Sequence, residues 1–600
     1  MWTRKATTGA AIFCRAILGS ACCSYCFAEV SPEAKETSIR QVPAPLASPA
    51  FFVAPDGKDT NVGSQQSPWR TIQHAVKQAE PGVTVYVRAG VYEEGVKVEK
   101  SGTQDKPIVL ASFPGERSVI DGRFRTQYGL LVTGRHITVR GLEIRNCTGH
   151  PGRYGVGGMT VFPGANNCLM ERNIVHHIIG GEHAAIGISC TGVKDATIQN
   201  NTVYYVAGHT ESMGMKIDQC QNANVRRNLV YFCDKEGIRL IRTETKERDL
   251  VVGNIAIFNH FGIAPNNCYN AQTVLVRSNF CGWNWARGML PKHHENLVLE
   301  HNTLHGNAWS ALGMWGGPTG NNHSTVVKNN LFSHSKLMEW RLMDADLDSE
   351  SVDYNFYHSL PGLLVARFSW ANSAACRSVE DIREKTGKVG TVNGPYEVHG
   401  KQGDPGFVNP QKGDFRLGPD SPARKAADDE KDMGAVETEL TEVGASREYG
   451  LSRIPDLGWL KTAVEAFSSE TDKGRAGNAV DGARETYWEA DLEADPKPEI
   501  VLRMPGGALH ELTYLILIKD GRPPWAFYRA FEVYVRDEAN TWTRVPEPPE
   551  HPFAGYGGLC NGQVWALPKG TTARAVKIRI LSGHKDIVRI PEIWIFGNEP

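Results

Sequence analysis

A motif of glycine followed by an apolar residue recurs along the middle of the chain, and each copy is followed by an asparagine inside a second short apolar stretch. The glycines are Gly158, Gly187, Gly214, Gly237, Gly262, Gly288 and Gly313, and the asparagines are Asn173, Asn201, Asn228, Asn254, Asn279, Asn302 and Asn330. The asparagines are 23 to 28 residues apart, with no helix-length segment between them. A repeat of this size, with two or three short strands, predicts one coil of a parallel β-helix.

Stacked coils place equivalent residues above one another about 4.8 Å apart. Asparagine tolerates left-handed turns, and its amide can bond to the asparagines above and below it. We therefore predict that the asparagine column is structural, and we assign it no catalytic role.

The repeat also predicts which side chains face outward. The apolar residue after each glycine points into the coil, so the next residue points out, and so does the one two positions later. Lys216 and Arg239 are then neighbours on an outward ladder that continues to Trp315, while Asp218 and Lys292 lie on a second ladder. Two adjacent cations repel each other, which favours an anion between them.

The first coil is predicted to be covered by a helix. In "SPWRTIQHAVKQAEPG", Ser67 is suited to the N-cap and Pro68 to the first helical position, and the apolar residues fall on one face. A helix here would cover the exposed edge of the solenoid.

The net charge and composition restrict the classes of molecule that the protein is expected to bind. The formal net charge of -2 and a pI near 6.8 give no global field that would favour nucleic acid or an anionic membrane. Residues 1–28 have Arg4 and Lys5 before a small and apolar stretch to about Leu18, followed by "CSYCFA" with Ala28 at its end, which predicts a signal peptide and a secreted protein. No other stretch is apolar enough to span a bilayer. We expect a monomer whose remaining cysteines are core residues and form no disulfide framework.

The end of the chain has a different pattern. After the polar segment 438–454, which we interpret as a linker, residues 455–598 contain short alternating strands separated by turn residues. This pattern predicts a β-sandwich.

Two family resemblances fit this division. From "FFVAPDGKDTNVGSQQSPWRTIQHAV" to "SVIDG", and again at "GDPGFVNPQKGDFRLGPDSPARKAADDEKDMGAV", the chain resembles secreted right-handed parallel β-helix proteins related to polysaccharide lyases, over residues 51–437. "GNAVDGARETYWEA" and "PEIWIFG" resemble discoidin (coagulation factor type C) domains of the galactose-binding-like class. The first resemblance implies a carbohydrate-active β-helix. The second implies a carbohydrate-binding module, some relatives of which hold a structural calcium ion.

The resemblance to chondroitinase B, alginate lyases and family 9 pectate lyases implies a site at the two cations. Cleavage of a uronate polysaccharide by β-elimination needs a base and a cation that offsets charge on the sugar carboxylate. We assign Lys216 as the base and Arg239 as the neutralising cation, with Asp218, Glu236 and His209 as further catalytic candidates. The acidic calcium site of family 9 pectate lyases has no clear counterpart here, so calcium is left open as a cofactor and no metal ligands are assigned.

The substrate-binding candidates are polar or aromatic residues on neighbouring coils, namely His183, Glu211, Lys292, Trp285 and Trp315. Two other functions stay open. A glycoside hydrolase would use paired carboxylates, such as Asp218 with Glu236 or Glu211. A non-catalytic glycan-binding protein or adhesin would use the same face without chemistry.

Overall fold

A computed structural model describes residues 49–598, except for a set of loop segments and the segment before the sandwich. The segments outside the description are 149–154, 181–183, 209–210, 242–247, 269–272, 316–323, 344–350, 369–373, 388–393, 411–412, 436–442, 445–458, 482–486, 519–527, 547–561 and 584–586. The expected signal peptide and nearly all of the expected linker lie outside the described residues. Within them, no helix is both long and apolar enough to cross a membrane.

The chain is all-β, as predicted, and its larger part is a parallel solenoid with three long sheets. Sheet 1 contains Ala50–Val53, Thr84–Val87, Ile108–Ser112, Ile137–Arg140, Leu169–Glu171, Thr197–Gln199, Asn224–Arg226, Arg248–Val252, Thr273–Arg277, Leu297–Glu300, Val326–Lys328 and Ser351–Asp353. Sheet 2 contains Val96–Val98, Tyr128–Val132, Val156–Val161, Ala185–Thr191, Ser212–Asp218, Glu236–Ile241, Phe261–Cys268, Arg287–Met289, Ser310–Trp315, Met338–Met343, Leu364–Phe368 and Ala375–Cys376, with Lys292–His294 at its side. Sheet 3 contains Gly90–Tyr92, Ser118–Asp121, Glu143–Thr148, Ile174–Ile179, Thr202–Ala207, Leu229–Cys233, Ile255–Ile257, Phe280–Gly282, Thr303–His305, Leu331–Ser333, Phe356–His358 and Lys401–Gln402.

The repeated glycine is required by close packing inside the coil. A Cβ atom at Gly214 would lie 2.2 Å from Cγ1 of Val230 and 2.7 Å from the carbonyl oxygen of Gly237. The apolar residue that follows, Met215, is fully buried in the solenoid core, as are its equivalents Ile188 and Ile238. The inward direction predicted for this position is confirmed.

The asparagine column is a continuous hydrogen-bonded ladder. The main-chain and side-chain amides of Asn228 each donate to Oδ1 of Asn254 at 3.0 Å, and Asn254 donates in the same way to Asn279 at 2.9 and 3.0 Å. The ladder extends beyond the predicted column to Asn355 and ends at Glu397, whose carboxyl group accepts from both amides of Asn355. The structural role predicted for this column is confirmed.

A second, shorter asparagine ladder was not predicted. The side-chain amide of Asn284 donates to Oδ1 of Asn307 at 3.0 Å, and the main-chain amide of Asn259 donates to Oδ1 of Asn284 at 3.0 Å. All three residues are fully buried. Their spacing of 25 and 23 residues is visible in the sequence once the period is known.

The capping helix is present but begins later than predicted. Helix α1 spans Ile72–Gln78, and its N-cap is Thr71, whose side chain accepts from the main-chain amide of His74. The assignment of Ser67 as N-cap is wrong, because Trp69, two residues later, is not helical and pairs with the first strand of sheet 1. The carboxylate of Glu94 accepts from the amides of Ile72 and Gln73 and helps to fix the helix start. A second helix, α2, spans Val379–Thr386.

The last part of the chain is the predicted β-sandwich. One sheet contains Trp459–Leu460, Ile593–Asn598, His510–Ile518, Gly562–Ala566 and Thr572–Ala573. The facing sheet contains Ala463–Phe467, Glu499–Arg503, Ala575–Gly583, Tyr528–Arg536 and Trp542–Arg544. The remaining strands are Phe407–Asn409 with Asp414–Leu417, before the sandwich, and Trp488–Asp491 with Ile587–Ile590. Two 3-10 turns span Ala476–Val480 and Pro505–Gly507.

Aromatic side chains join the sandwich to the solenoid. In successive coils, Tyr205 and Phe232 lie within their sheet 3 strands, and Phe258 and Trp283 lie directly after theirs. All four have a left-handed backbone, and we call them the aromatic stripe. Phe232 contacts Tyr514 and Phe596 of the sandwich with ring centroids 5.1 and 4.9 Å apart. This shared apolar cluster buries one face of the sandwich against the solenoid.

The cysteines within the described residues are core residues, as expected. Seven free cysteines are buried, and none of them forms a disulfide: Cys147, Cys168, Cys190, Cys220, Cys233, Cys281 and Cys376. Burial raises the pKa of Cys281 and Cys190 well above the usual range, so these thiols stay protonated.

The Asn254→Ala variant should be clearly destabilised. Removal of its Oδ1 leaves two buried donors of Asn228 without their acceptor, which should lower the free energy of unfolding by about 2 kcal/mol. Differential scanning calorimetry should show a lower transition temperature for the solenoid. Gln221→Ala, at an exposed position on a nearby coil, is the matched control and should stay within about 0.5 kcal/mol. Equal transition temperatures for the two variants would contradict the ladder's role.

Candidate functional site

The outer face of sheet 2 carries the two cations found in the sequence. Lys216 and Arg239 lie directly opposite one another on neighbouring strands, with Ser189 before them and Ala264 after them. This is the register that the repeat predicted. Both side chains are only partly exposed, at 20% for Lys216 and 14% for Arg239, so their charges interact in surroundings of limited water.

Each of the two cations has a protein carboxylate as partner. Nζ of Lys216 lies 3.1 Å from Oδ2 of Asp218, and Nη1 of Arg239 lies 3.3 Å from Glu211 and 3.7 Å from Glu236. The carboxylates of Asp218 and Glu236 are buried, whereas Glu211 is 45% exposed. The anions that two adjacent cations favour are therefore supplied in part by the protein itself.

Lys292 is the most unusual cation of this face. It pairs with Asn266 on one side and Trp315 on the other, and its Nζ lies 4.7 Å from the ring centre of Trp315. Burial is the main cause that lowers its pKa to about 8; repulsion from Arg239 and Arg287 adds to this effect, and Glu236 opposes it. A lysine with this pKa is uncharged in a large fraction of molecules at mildly alkaline pH and can accept a proton.

Trp315 lies on a different ladder from the one predicted. The strand alignment placed Met314 at the level of Met289, but the structure pairs Met289 with Leu312, so Trp315 lies opposite Lys292. Gly313 is not the repeated glycine of this coil, because Ala311 occupies that position. Trp315 remains 40% exposed and presents an aromatic face beside the lysine.

Arg287 belongs to the same face and was missed in the sequence. Its guanidinium group lies 5.0 Å from the ring centre of Trp309 and 5.9 Å from that of Phe261. A Cβ atom at Gly313 would lie only 2.2 Å from Cδ of Arg287, so the glycine gives the arginine its space. Arg287 lies directly opposite Phe261, which in turn lies opposite Glu236, and this outward ladder could have been found by aligning the residue before each repeated glycine.

Asn266 connects Arg239 to the strand that leads to Lys292. When its side-chain amide is turned to the orientation in which both ends find partners, the oxygen accepts from Nε of Arg239 at 3.2 Å and the nitrogen donates to the carbonyl of Leu290 at 3.1 Å. Asn266 is itself buried and lies between the coils of Arg239 and Lys292. The orientation of the guanidinium group is therefore fixed by an amide as well as by carboxylates.

Three of the predicted site residues cannot be placed with this group. Trp285 is fully buried in the apolar cluster between the solenoid and the sandwich, so its predicted role as a sugar platform is wrong. Its neighbour Asn284 belongs to the second asparagine ladder, which fixes the backbone of this coil so that Trp285 packs into that cluster. His183 and His209 lie outside the described residues.

The arrangement combines a partly desolvated base with several fixed cations. Arg239 offers a planar donor group suited to a carboxylate, and Lys292 offers an amine whose charged form is disfavoured. Asp218 and Glu236 are both engaged by cations, which leaves neither as an isolated carboxyl group of the kind that glycoside hydrolysis uses as an acid.

No group of three or more His, Cys, Asp or Glu side chains suited to a metal occurs within the described residues. In the sandwich, Glu592 is buried, and burial together with the neighbouring Asp481 raises its pKa well above the usual range. The two carboxyl groups are hydrogen-bonded to each other, which requires that they share a proton.

Comparisons with known proteins agree with the two-part architecture. Residues 51–226 match the family model described as "Pel9A-like, right handed beta helix region", and residues 463–593 match that of the "F5/8 type C domain". These matches confirm the resemblance to pectate lyase-like β-helix proteins and to discoidin-type domains that the sequence motifs indicated.

Individual relatives match only parts of the chain. The uncharacterized protein YwoF of Bacillus subtilis is 27% identical over 164 residues, which cover 26% of this chain and 35% of the relative. Pectate lyase PEL9 of Emericella nidulans is 43% identical over 82 residues, which cover 13% of this chain and 20% of the relative. The chain thus spans about a third or less of the length of these relatives. The crystal structure of pectate lyase Pel9A is 16% identical, with 64% of this chain and 96% of that chain covered and a TM-score of 0.42.

Proposed function

We propose that the protein is a secreted polysaccharide lyase that cleaves a uronate-containing polysaccharide by β-elimination on the outer face of sheet 2. The observation that carries the proposal is Lys292, a partly buried lysine with a pKa of about 8 on the same face as Arg239. The match of residues 51–226 to pectate lyase-like β-helices supports the substrate class.

The first requirement of elimination is to hold the sugar carboxylate and offset its charge. We assign this task to Arg239, whose guanidinium is held on one side by Asn266 and on the other by Glu211. Glu211 is exposed enough to be displaced by a substrate carboxylate, which would take over its contact with Arg239. As the proton next to the carboxylate leaves, negative charge develops there, and the fixed cation lowers the energy of that state.

The second requirement is a base for that proton. Lys292 replaces Lys216 in this assignment, because Lys216 is engaged by Asp218 in an ion pair that depends on the charged form of the lysine. Uncharged Lys292 accepts the proton from the carbon next to the carboxylate. The electron pair forms the new carbon–carbon double bond, and the glycosidic oxygen leaves with the rest of the chain, taking a proton from solvent.

The remaining side chains of this face have positioning tasks. Arg287 is close enough to Lys292 for its charge to lower the pKa of the lysine, and Trp315 offers an aromatic surface against which a sugar ring can stack. Lys216 is a second cation for a neighbouring uronate of the polymer. The sandwich domain, through its match to a carbohydrate-binding class of domain, would help to keep the polysaccharide near this face.

A panel of acidic and neutral polysaccharides separates the open alternatives. The lyase should produce unsaturated uronyl ends that absorb in the ultraviolet, on at least one uronate-containing polymer. New reducing ends without this absorbance would contradict elimination and favour hydrolysis. Binding without either product would favour a non-catalytic glycan-binding protein.

Lys292→Met should reduce elimination by about 10²- to 10⁴-fold, the usual contribution of a general base. Arg239→Lys keeps the charge but loses the planar donor pair, so it should raise KM and lower kcat. Lys194→Met, at an exposed position in the turn between a strand of sheet 2 and the next strand of sheet 1, is the control and should retain full activity. If Lys292→Met retained activity and Lys216→Met lost it, the base would be Lys216.

The wild-type rate should depend on pH in the direction that Lys292 requires. The lysine must be uncharged to act, so kcat/KM should rise with pH and level off above about 8. Arg287→Met removes one of the repelling cations, so the pKa of Lys292 should rise and the pH profile should move to higher pH. A profile that falls through this range would contradict a lysine base.

A further inference from the structure

A small cavity lies where the aromatic stripe is interrupted. The stripe supplies one outward aromatic side chain per coil up to Trp283, but the next coil has Gly306 at the equivalent left-handed position, and His334 follows on the coil after that. The indole of Trp283 leans over this glycine, where a Cβ atom would lie 3.0 Å from Cδ1 of Trp283, and a cavity of about 180 Å³ lies beside the two residues, between the solenoid and the sandwich. The rings of Tyr205, Phe232 and Phe258 contact aromatic rings of the sandwich, so the break in the column at Gly306 is local.

The walls of the cavity come from both domains. Trp283 and Gly306 line it from the solenoid, and Trp459 and Trp594 line it from the sandwich. Trp459 and Trp594 have ring centroids 5.8 Å apart at an angle of 59°, so they form a corner and do not stack on each other. The indole nitrogen of Trp594 donates to Oε2 of Glu592 at 3.2 Å, which fixes the orientation of this wall.

The polar groups of the cavity carry little net positive charge. Lys336 is the only lysine or arginine among its lining residues, and Glu592 is their only carboxyl group. Burial lowers the pKa of His305 and His334, so both imidazoles are neutral at physiological pH. Nδ1 of His305 is already hydrogen-bonded to Ser333 at 2.8 Å. This cavity therefore lacks the group of cations that the outer face of sheet 2 offers to uronate.

We propose that this cavity binds one neutral sugar ring, with its apolar face against the indoles of Trp283, Trp459 and Trp594 and a hydroxyl group accepting from Lys336. Indole rings in a concave site, together with a few polar groups, suit the alternating apolar and polar faces of a pyranose. The volume is below the range of about 300–1,000 Å³ that is typical of larger ligands, so one ring is held and not a chain segment. The ring is either a free monosaccharide or a terminal residue of a polysaccharide.

Because the cavity joins the two domains, a bound sugar would contact both of them at once. Trp459 begins the sandwich and Trp283 belongs to the solenoid, so the ligand would strengthen the interface that the aromatic stripe already forms. The proposal does not depend on the elimination chemistry of sheet 2. A polysaccharide with acidic backbone and neutral end groups could occupy both sites.

Ligand-observed nuclear magnetic resonance with the full chain tests the proposal. The probes are galactose, xylose, their methyl β-glycosides and methyl galacturonoside. A neutral glycoside should bind, and methyl galacturonoside should bind more weakly. Tighter binding of the methyl glycosides than of the free sugars would indicate a terminal residue, and the reverse order would indicate a free monosaccharide. No binding by any neutral probe, or preferred binding of the galacturonoside, would overturn the proposal.

Two variants connect binding to the cavity. Gly306→Phe adds an aromatic side chain at a left-handed backbone position of the kind that Phe232 and Phe258 occupy. Its Cβ atom would lie 3.0 Å from Cδ1 of Trp283, so the indole must shift, and the two rings together should reduce the volume of the cavity. Trp459→Ala removes one wall without changing the solenoid. Each should weaken binding by about tenfold or more, while Trp542→Ala, on the facing sheet of the sandwich, should leave it unchanged.

The same variants distinguish a binding site from a packing defect. If Gly306→Phe raised the transition temperature and left sugar binding unchanged, the cavity would be only a defect, and the proposal would be overturned. If Gly306→Phe does not fold, Trp459→Ala decides the question by the same binding measurement. Elimination on sheet 2 should be unaffected by either variant, so failure of this proposal and failure of the lyase proposal can be told apart.

Discussion

The buried asparagine ladder sets the register on which every other feature of the solenoid depends. Each amide in the column donates to the next oxygen and accepts from the previous one, so successive coils are locked at one spacing and one phase. A shift of one residue would leave buried amides unpaired and would turn outward side chains inward. The ladder ends on Glu397, a carboxyl group with two acceptor oxygens and no further donor requirement, which closes the column without an unpaired amide.

That fixed register brings together charges from separate coils. Lys216, Arg239 and Lys292 come from three different strands of sheet 2, and their relative positions are fixed because no strand can slide against the next. The same rigidity explains how a lysine is kept partly buried beside other cations. Burial disfavours the charged form of this lysine, and because the stacked strands hold it in place, its pKa is lowered.

The interface between the domains also depends on the fixed register of the stacked coils, at another part of the solenoid surface. Left-handed residues recur once per coil, and their aromatic side chains form a continuous surface for the sandwich. The column of aromatic side chains breaks at Gly306, where the indole of Trp283 leans over the glycine, and the cavity lies beside this break. The proposed sugar site therefore coincides with the one irregular position of an otherwise regular column within the described coils.

The sequence by itself determined the repeat, the direction of the residues after each glycine, the structural asparagine column and the pairing of Lys216 with Arg239, because all of these follow from a fixed period and strand alternation. Alignment of the repeats placed Trp315 on the wrong ladder and missed Arg287. The pairing of neighbouring strands omits the repeated glycine, and one coil has Ala311 in its place, so positions counted from the glycines do not always fall on the correct ladder. Only the tertiary structure decided that Asp218 and Glu236 already neutralise the two cations, that Trp285 is buried under the sandwich, and that Lys292 is the desolvated lysine. These properties depend on burial and on contacts between distant coils and domains, which no local spacing in the chain encodes.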